Sequence, residues 1–262
     1  MSLPEIKRFR LLIIGKTGCG KTTILSKVCG EDVADQPSMQ RGVHNIEREL
    51  LFRHNDKLVA HDSEGFEAGQ NDEFETVNSF IERRSAMDDI NQRLHMVWYC
   101  LEMSSRQVQH AERQFFSTKR QVPVVAVITK FDVFIQDVQQ ELEQAAEDEE
   151  QDIDEDEIEG EAIKLAEERF NEYYRTQLEN LPFPPKAIVT LSRTHESKPD
   201  DSRLGELVRQ TMVALTSSSD DDEEMTAERR EQQQMLRDLF VTAQTADLTF
   251  KVELAVVCAV PS

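Results

Sequence analysis

Gly15–Thr22 reads GKTGCGKT, between the apolar run Phe9–Ile14 (FRLLII) and a helix-like stretch over Lys21–Cys29. The segment matches GxxxxGK[ST] in full, and a strand before it with a helix after it is the context that pattern requires. Gly15, Gly18 and Gly20 let successive backbone N–H groups curl around a phosphate, and the helix start adds a partial positive charge. Lys21 is placed to reach β- and γ-phosphates, and the Thr22 hydroxyl to ligate Mg²⁺. Lys16, Thr17, Cys19 and Thr23 complete the candidate phosphate loop. Cys19 reads as a tolerated small residue rather than a nucleophile.

A phosphate loop alone does not fix the base or the reaction. Outward from it, short apolar runs alternate with helical patterns, the signature of an α/β sheet. Ile46–Phe52 reads as a strand, residues 54–56 (HND) as a turn and Lys57–His61 as the hairpin partner. A polar helix over Asp72–Arg84 precedes a strand at Leu94–Leu101 (LHMVWYCL). A helix over Gln107–Lys119 and a strand at Val122–Thr129 (VPVVAVIT) follow. Then come a helix over Glu161–Leu181, a strand at Ala187–Leu191 and a helix from Ser202 to Leu215.

Two further motifs fall at the ends of these strands. Asp62–Gly65 (DSEG) is a DxxG turn, whose aspartate holds Mg²⁺ through water and whose Gly65 N–H meets a γ-phosphate. Thr129–Asp132 (TKFD) closes the strand VPVVAVI and fits the [NT]KxD guanine-recognition pattern. The Asp132 carboxylate accepts from guanine N1–H and the 2-amino group; adenine offers neither donor. Lys130 lays its stem over the base plane. Ser192–Thr194 (SRT) follows the last strand, where Ser192 and Arg193 stand either for a base-contacting loop or for an ordinary strand-to-helix turn. Between Gly30 and Leu50 there is no threonine to complete a Mg²⁺ shell. Ser38 is the only hydroxyl there, and it either serves or the segment closes differently.

GKTGCGKT, DSEGF and TKFD together resemble a TRAFAC-class GTPase, nearer the TrmE–Era–AIG–septin group than Ras. QRGVHNIERELLF, HDSEGFEAG, LHMVWYCLE and VPVVAVITKFD are similar to the G-domain-containing proteins of filamentous fungi. The resemblance spans residues 8–215, with weaker similarity at 236–244 (LRDLFVTAQ). It implies an α/β, Ras-like P-loop fold: a mostly parallel six-stranded sheet with helices on both faces, binding GTP or GDP with Mg²⁺. Position by position it supports Lys21, Thr22, Asp62, Gly65, Lys130 and Asp132. It departs from Ras at Phe66, where a Ras-type switch carries a water-orienting glutamine. Glu64, Gln70, Arg41 and His44 are the candidate replacements, and no catalytic residue is assigned.

The charge pattern narrows the partners. The formal net charge of −21 is concentrated in thirteen acids at 141–161 and five more in DDDEE at 220–224. The remaining 33 acids against 30 bases make a near-neutral domain. The acidic runs read as solvated, partly disordered segments, and they disfavour nucleic acid and anionic lipid. The expected organisation is a G domain at 1–216 with an acidic insert at 141–161, a linker at 217–226, and a tail at 227–262. In the tail a helix over Ala227–Ala243 and a strand over Leu248–Val260 either pack on the domain or begin a second one. No apolar run approaches the ~20 residues of a membrane helix. The start MSLPEIKRFR has no apolar stretch, and Cys19, Cys29, Cys100 and Cys258 form no CxxC pair, which fits a reducing cytoplasm.

Two functions from different classes follow from these readings. One is a slow GTPase acting as a GTP/GDP switch, with an effector protein or a nucleotide-dependent homodimer as partner. The other is a nucleotide-gated binding module with little or no hydrolysis. A P-loop kinase or ATPase is disfavoured by TKFD.

Overall fold

Phe9–Gly15 is buried at every position, the burial of a strand covered on both faces of a sheet. The computed structural model describes residues 7–29, 45–52, 55–63, 71–103, 108, 110–148, 154–194, 201–216, 234–235 and 238. Six strands form one sheet: β1 (Phe9–Gly15), β2 (Leu50–Phe52), β3 (Asn55–Asp62), β4 (Met96–Glu102), β5 (Val124–Thr129) and β6 (Ala187–Thr190). Their order is β2-β3-β1-β4-β5-β6. Every pairing is parallel except the β2–β3 hairpin. The expected fold is therefore the observed one. Near-continuous Val, Ile and Leu runs form the central strands because helices cover both faces.

On one face α1 (Lys21–Cys29) and α7 (Asp201–Thr216) bring Ile24, Leu25, Leu204, Leu207 and Val208 onto Leu11, Ile13, Trp98 and Val127. The buried Trp98 Nε1–H donates to the Thr211 hydroxyl of α7 at 3.0 Å. On the other face α2 (Asn71–Ser85), α3 (His110–Phe115), α4 (Phe131–Asp148) and α5 (Glu155–Arg169) cover Leu12, Ile14, Val97, Tyr99 and Ile128. No helix among the described residues is long and apolar enough to cross a membrane.

One buried charge organises the far end of the sheet. Arg10 is fully buried, and its guanidinium meets Glu49 Oε1 at 2.6 Å, the Asn91 carbonyl at 2.7 Å and Gln92 Oε1 at 3.1 Å. It also reaches His61 Nε2 at 3.2 Å, while His61 Nδ1 lies 2.9 Å from the Ile46 carbonyl. Glu47 pairs with both Arg83 and Arg84 of α2. These contacts explain why β2 spans Leu50–Phe52 rather than the expected Ile46–Phe52. Residues 45–49 instead turn, with Arg48 N–H bonded to the Asn45 carbonyl at 2.8 Å, and aim their acids at arginines.

The largest departure from the sequence reading is the acidic segment. Residues 141–148 finish α4 and 155–161 begin α5, so most of the stretch read as solvated and partly disordered is a helical hairpin. Its inner face buries Val138, Ala146, Ile158, Ala162 and Ala166, and Arg169 reaches back to Glu141 at 2.6 Å. The acids whose side chains are described lie on the outer face, where helix and solvation coexist. α5 continues through a π-helical segment at Phe170–Arg175 into α6 (Thr176–Glu179). This long helix begins earlier than the expected Glu161, because Asp154 caps it by accepting from the Asp156 N–H. α3 is shorter than expected: Arg120 packs over the Phe115 ring at 3.7 Å and bonds the carbonyls of Phe115 and Thr118, closing the helix end. The expected linker and the expected tail elements lie outside the described residues, apart from 234–235 and 238; Met235 packs against the α1–α7 core.

Candidate functional site

The phosphate loop occupies the C-terminal end of β1. Gly15 has φ +148° and lies against β4: a Cβ there would stand 2.4 Å from the Cys100 carbonyl oxygen. Only glycine fits that approach. Gly18 and Gly20 take φ +81° and +85°, turning the chain so that α1 starts at Lys21, where Ile24 N–H bonds the Gly20 carbonyl. Thr17 and Gly18 are exposed, Lys16 is half-buried, and Cys19 is buried beneath them.

The Lys21 ammonium folds over this loop. It donates to the Gly15 carbonyl at 2.9 Å and the Lys16 carbonyl at 3.2 Å, and lies 3.9 Å from Asp62 Oδ1. Thr22 and Thr23 follow it in the first turn of α1, Thr22 exposed and Thr23 half-buried. Asp62 ends β3 directly beside Ile13 of β1, so neighbouring parallel strands deliver the carboxylate to the loop. A threonine hydroxyl and a carboxylate are hard oxygen donors, the set that Mg²⁺ takes. Thr22 and Asp62 fit that ion. The other expected members, Ser38 and Gly65, lie outside the described residues, as do Glu64, Phe66, Gln70, Arg41 and His44.

The two segments expected to contact a base, TKFD and SRT, come together. Thr129 ends β5 and its hydroxyl donates to the Leu101 carbonyl at 3.3 Å. Lys130 adopts φ +56°, strained for a non-glycine residue, and its carbonyl accepts from the Val133 and Phe134 N–H groups of α4. That bend places Asp132 in the first turn of α4, where a carboxylate is favoured by the helix dipole. Phe131 N–H bonds the Leu191 carbonyl at 3.1 Å, and Arg193 N–H bonds Asp132 Oδ1 at 2.9 Å. Arg193 is the second non-glycine residue with positive φ, at +51°. SRT is thus no independent turn: it is latched to TKFD.

Sequence reasoning missed two members of this end of the sheet. Glu102 closes β4 and holds the Lys130 ammonium at 2.8 Å; its signal was an acid ending the apolar run LHMVWYCLE. Cys100 lies under the phosphate loop, on the same side of Gly15 as Cys19. The neighbouring Cys100, and after it the Lys21 cation, hold the Cys19 thiol below its ordinary pKa against the opposing effect of burial. Burial pushes the Cys100 thiol well up.

Residues 10–130, a little under half of the chain, match the family described as 50S ribosome-binding GTPase. No curated protein matches the chain. Among solved structures, the septin GTPase domain from Chlamydomonas reinhardtii is similar at 17% identity, with 73% of this chain and 79% of that one covered and a TM-score of 0.36. A probable GTP-binding protein engB is similar at 14% identity over 78% of this chain and 97% of its own, with a TM-score of 0.43. A dimerisation-deficient mutant of Toc33 from Arabidopsis thaliana is similar at 12% identity over 90% and 86%, with a TM-score of 0.38. The family match supports a GTP-binding domain over the segment that carries the phosphate loop, Asp62 and the start of TKFD.

Proposed function

We propose that this chain, whose residues 10–130 match a GTPase family model and whose sheet is mostly parallel, binds GTP and GDP with Mg²⁺ and hydrolyses GTP slowly, as a two-state switch in the cytoplasm. The observation that carries this reading is the gathering of four segments at the C-terminal ends of β1, β3, β5 and β6. Lys21 lies within 3.9 Å of Asp62, and Asp132 is latched to Arg193. Open α/β sheets bind their ligands at that end.

Roles follow from chemistry. The loop N–H groups and Lys21 take the phosphates, and Thr22 with Asp62 hold the ion, which would offset charge on the β- and γ-phosphates. Asp132 reads guanine through N1–H and the 2-amino group, and Lys130 covers the base. Phe66 offers no group to accept a proton or orient water, so turnover is slow; Ras-type intrinsic rates of about 10⁻⁴ s⁻¹ set the scale.

The test is a titration with GDP, a non-hydrolysable GTP analogue and ATP, read by size-exclusion chromatography with light scattering. Single-turnover phosphate release is measured beside it. Guanine nucleotides should bind and ATP should not. Preference for ATP removes the base assignment, and absence of phosphate release replaces the switch with a nucleotide-gated module. A rate that rises with protein concentration assigns catalysis to a homodimer.

A further inference from the structure

Two buried thiols meet beneath the phosphate loop. Gly15 is the register partner of Cys100 in β4, and the loop turns back so that Cys19 lies over the same point. A Cβ on Gly15 would stand 2.9 Å from the Cys19 Sγ and 3.0 Å from the Cys100 Cβ. The missing side chain at Gly15 is what lets both cysteines crowd the same point. Both are free thiols, 0% and 1% exposed. Phosphate, ion and base binding use neither thiol, and apolar packing alone requires no pair of sulfurs.

We propose that Cys19 and Cys100 form a reversible disulfide that draws the phosphate loop out of its nucleotide-binding shape. This redox gate rests on reading that loop as the nucleotide site. A covalent S–S bond of about 2.05 Å is far shorter than any non-bonded approach of two sulfurs, so closing it pulls the Cys19 backbone toward β4. The N–H groups that curl around a phosphate belong to that same stretch of backbone. In a reducing compartment such a bond is transient, as suits a sensor.

The oxidant is a peroxide. The Cys19 thiolate attacks one peroxide oxygen; an S–O bond forms, the O–O bond breaks, and the leaving hydroxide takes a proton to become water. The Cys100 sulfur then attacks the sulfenic sulfur. An S–S bond forms, the S–O bond breaks, and the hydroxyl leaves with the Cys100 proton as a second water. The two thiols lose two electrons, which the peroxide gains. A dithiol reductant reverses the step by exchange. The oxidant enters by local opening of a loop whose Thr17 and Gly18 already face solvent, and bound nucleotide opposes that opening.

The experiment treats the full chain with hydrogen peroxide, with and without GDP and Mg²⁺. Non-reducing peptide mapping follows the Cys19–Cys100 cross-link, and a fluorescent GDP titration follows affinity. In the nucleotide-free protein the cross-link should form, and affinity should fall about tenfold or more, the weight of one hydrogen bond to a charged phosphate. Dithiothreitol should restore it, and prior GDP should slow the cross-linking. Cys100→Ala, or Cys100→Val if the first does not fold, should bind GDP like the parent and keep its affinity after peroxide. A chain that binds GDP but gives no cross-link overturns the gate alone. So does a cross-linked chain with unchanged affinity, or a Cys100 variant that loses affinity as the parent does. A reduced, folded chain that binds no guanine nucleotide while the cross-link forms overturns the nucleotide reading, and the gate with it.

Discussion

The Arg193 backbone N–H donates to Asp132 Oδ1 at 2.9 Å, joining the loop after β6 to the first turn of α4 across 61 residues of chain. Each carboxylate oxygen retains a further lone pair, so the latch orients Asp132 without consuming its capacity to accept from a base.

Asp132→Asn tests that arrangement. The amide oxygen still accepts from Arg193, so the melting temperature should stay near the parent's. Guanine binding should weaken by about 2–5 kcal/mol, the cost of breaking a charge-assisted pair. Preference should shift toward xanthine nucleotides, whose 2-oxo group accepts from the new amide. Calorimetric titration with GDP and XDP checks both, and undiminished GDP affinity would remove Asp132 as the base reader.

Charge and helix in the acidic hairpin are separable. Deleting 143–159 removes the buried Ala146 and Ile158 with the ends of both helices that frame them. It should lower stability by about 3 kcal/mol or more, a buried isoleucine plus its lost surroundings. Changing the exposed Glu143, Glu147, Glu157 and Glu159 to Gln should stay within about 0.5 kcal/mol. Urea denaturation of the two variants decides it. Equal stability would mean that the hairpin is no part of the core.

This contrast also shows where the sequence was legible. The six strands, and the gathering of GKTGCGKT and TKFD at one end of the sheet, could be read because parallel strands are written as unbroken apolar runs and both motifs sit at strand ends. α4 was missed although Phe131, Phe134, Val138, Leu142 and Ala146 recur at helical spacing. Thirteen acids drew the reading toward solvation, when charge on the outer face says nothing about the inner one. The Cys19–Cys100 contact was unreadable for another reason: 80 residues separate the thiols, and only the β1–β4 register brings them together.

Two buried histidines should make the fold acid-sensitive. Burial lowers the His61 pKa to about 4, with Arg84 and Arg10 adding to the effect and the Ile46 carbonyl opposing it. Burial likewise lowers His95 to about 3. Below about pH 6.5 the unfolded chain binds protons that the folded chain refuses, so stability rises with pH across this window. It should be flat above neutrality and fall from about pH 6.5 toward 4, by up to about 1.4 kcal/mol per pH unit for each histidine. Arginine partners hold Glu47 and Glu49 below their ordinary values despite opposing burial, so these carboxyls add their loss only at lower pH. His61→Gln, which keeps a donor and an acceptor, should remove one histidine's share of the slope between pH 6.5 and 4. A variant with the parent's full slope would exclude His61 as a source.

Gly15 and Gly18 both take positive φ in the phosphate loop, yet alanine should act on them very differently. At Gly15 the new Cβ would meet the Cys100 carbonyl oxygen at 2.4 Å, and that oxygen belongs to a central strand that cannot retreat. Strain at φ +148° adds to the overpacking, and the two together should cost about 2–5 kcal/mol. At Gly18 a Cβ meets nothing within 4 Å, so only the conformational penalty remains, about 1–2 kcal/mol. Urea denaturation of each variant measures the difference, and GDP titration should show Gly15→Ala losing affinity as β1 and β4 are pushed apart. If the two alanines cost the same, backbone conformation alone governs this loop, and the close approach of Gly15 to Cys100 carries no weight in holding it.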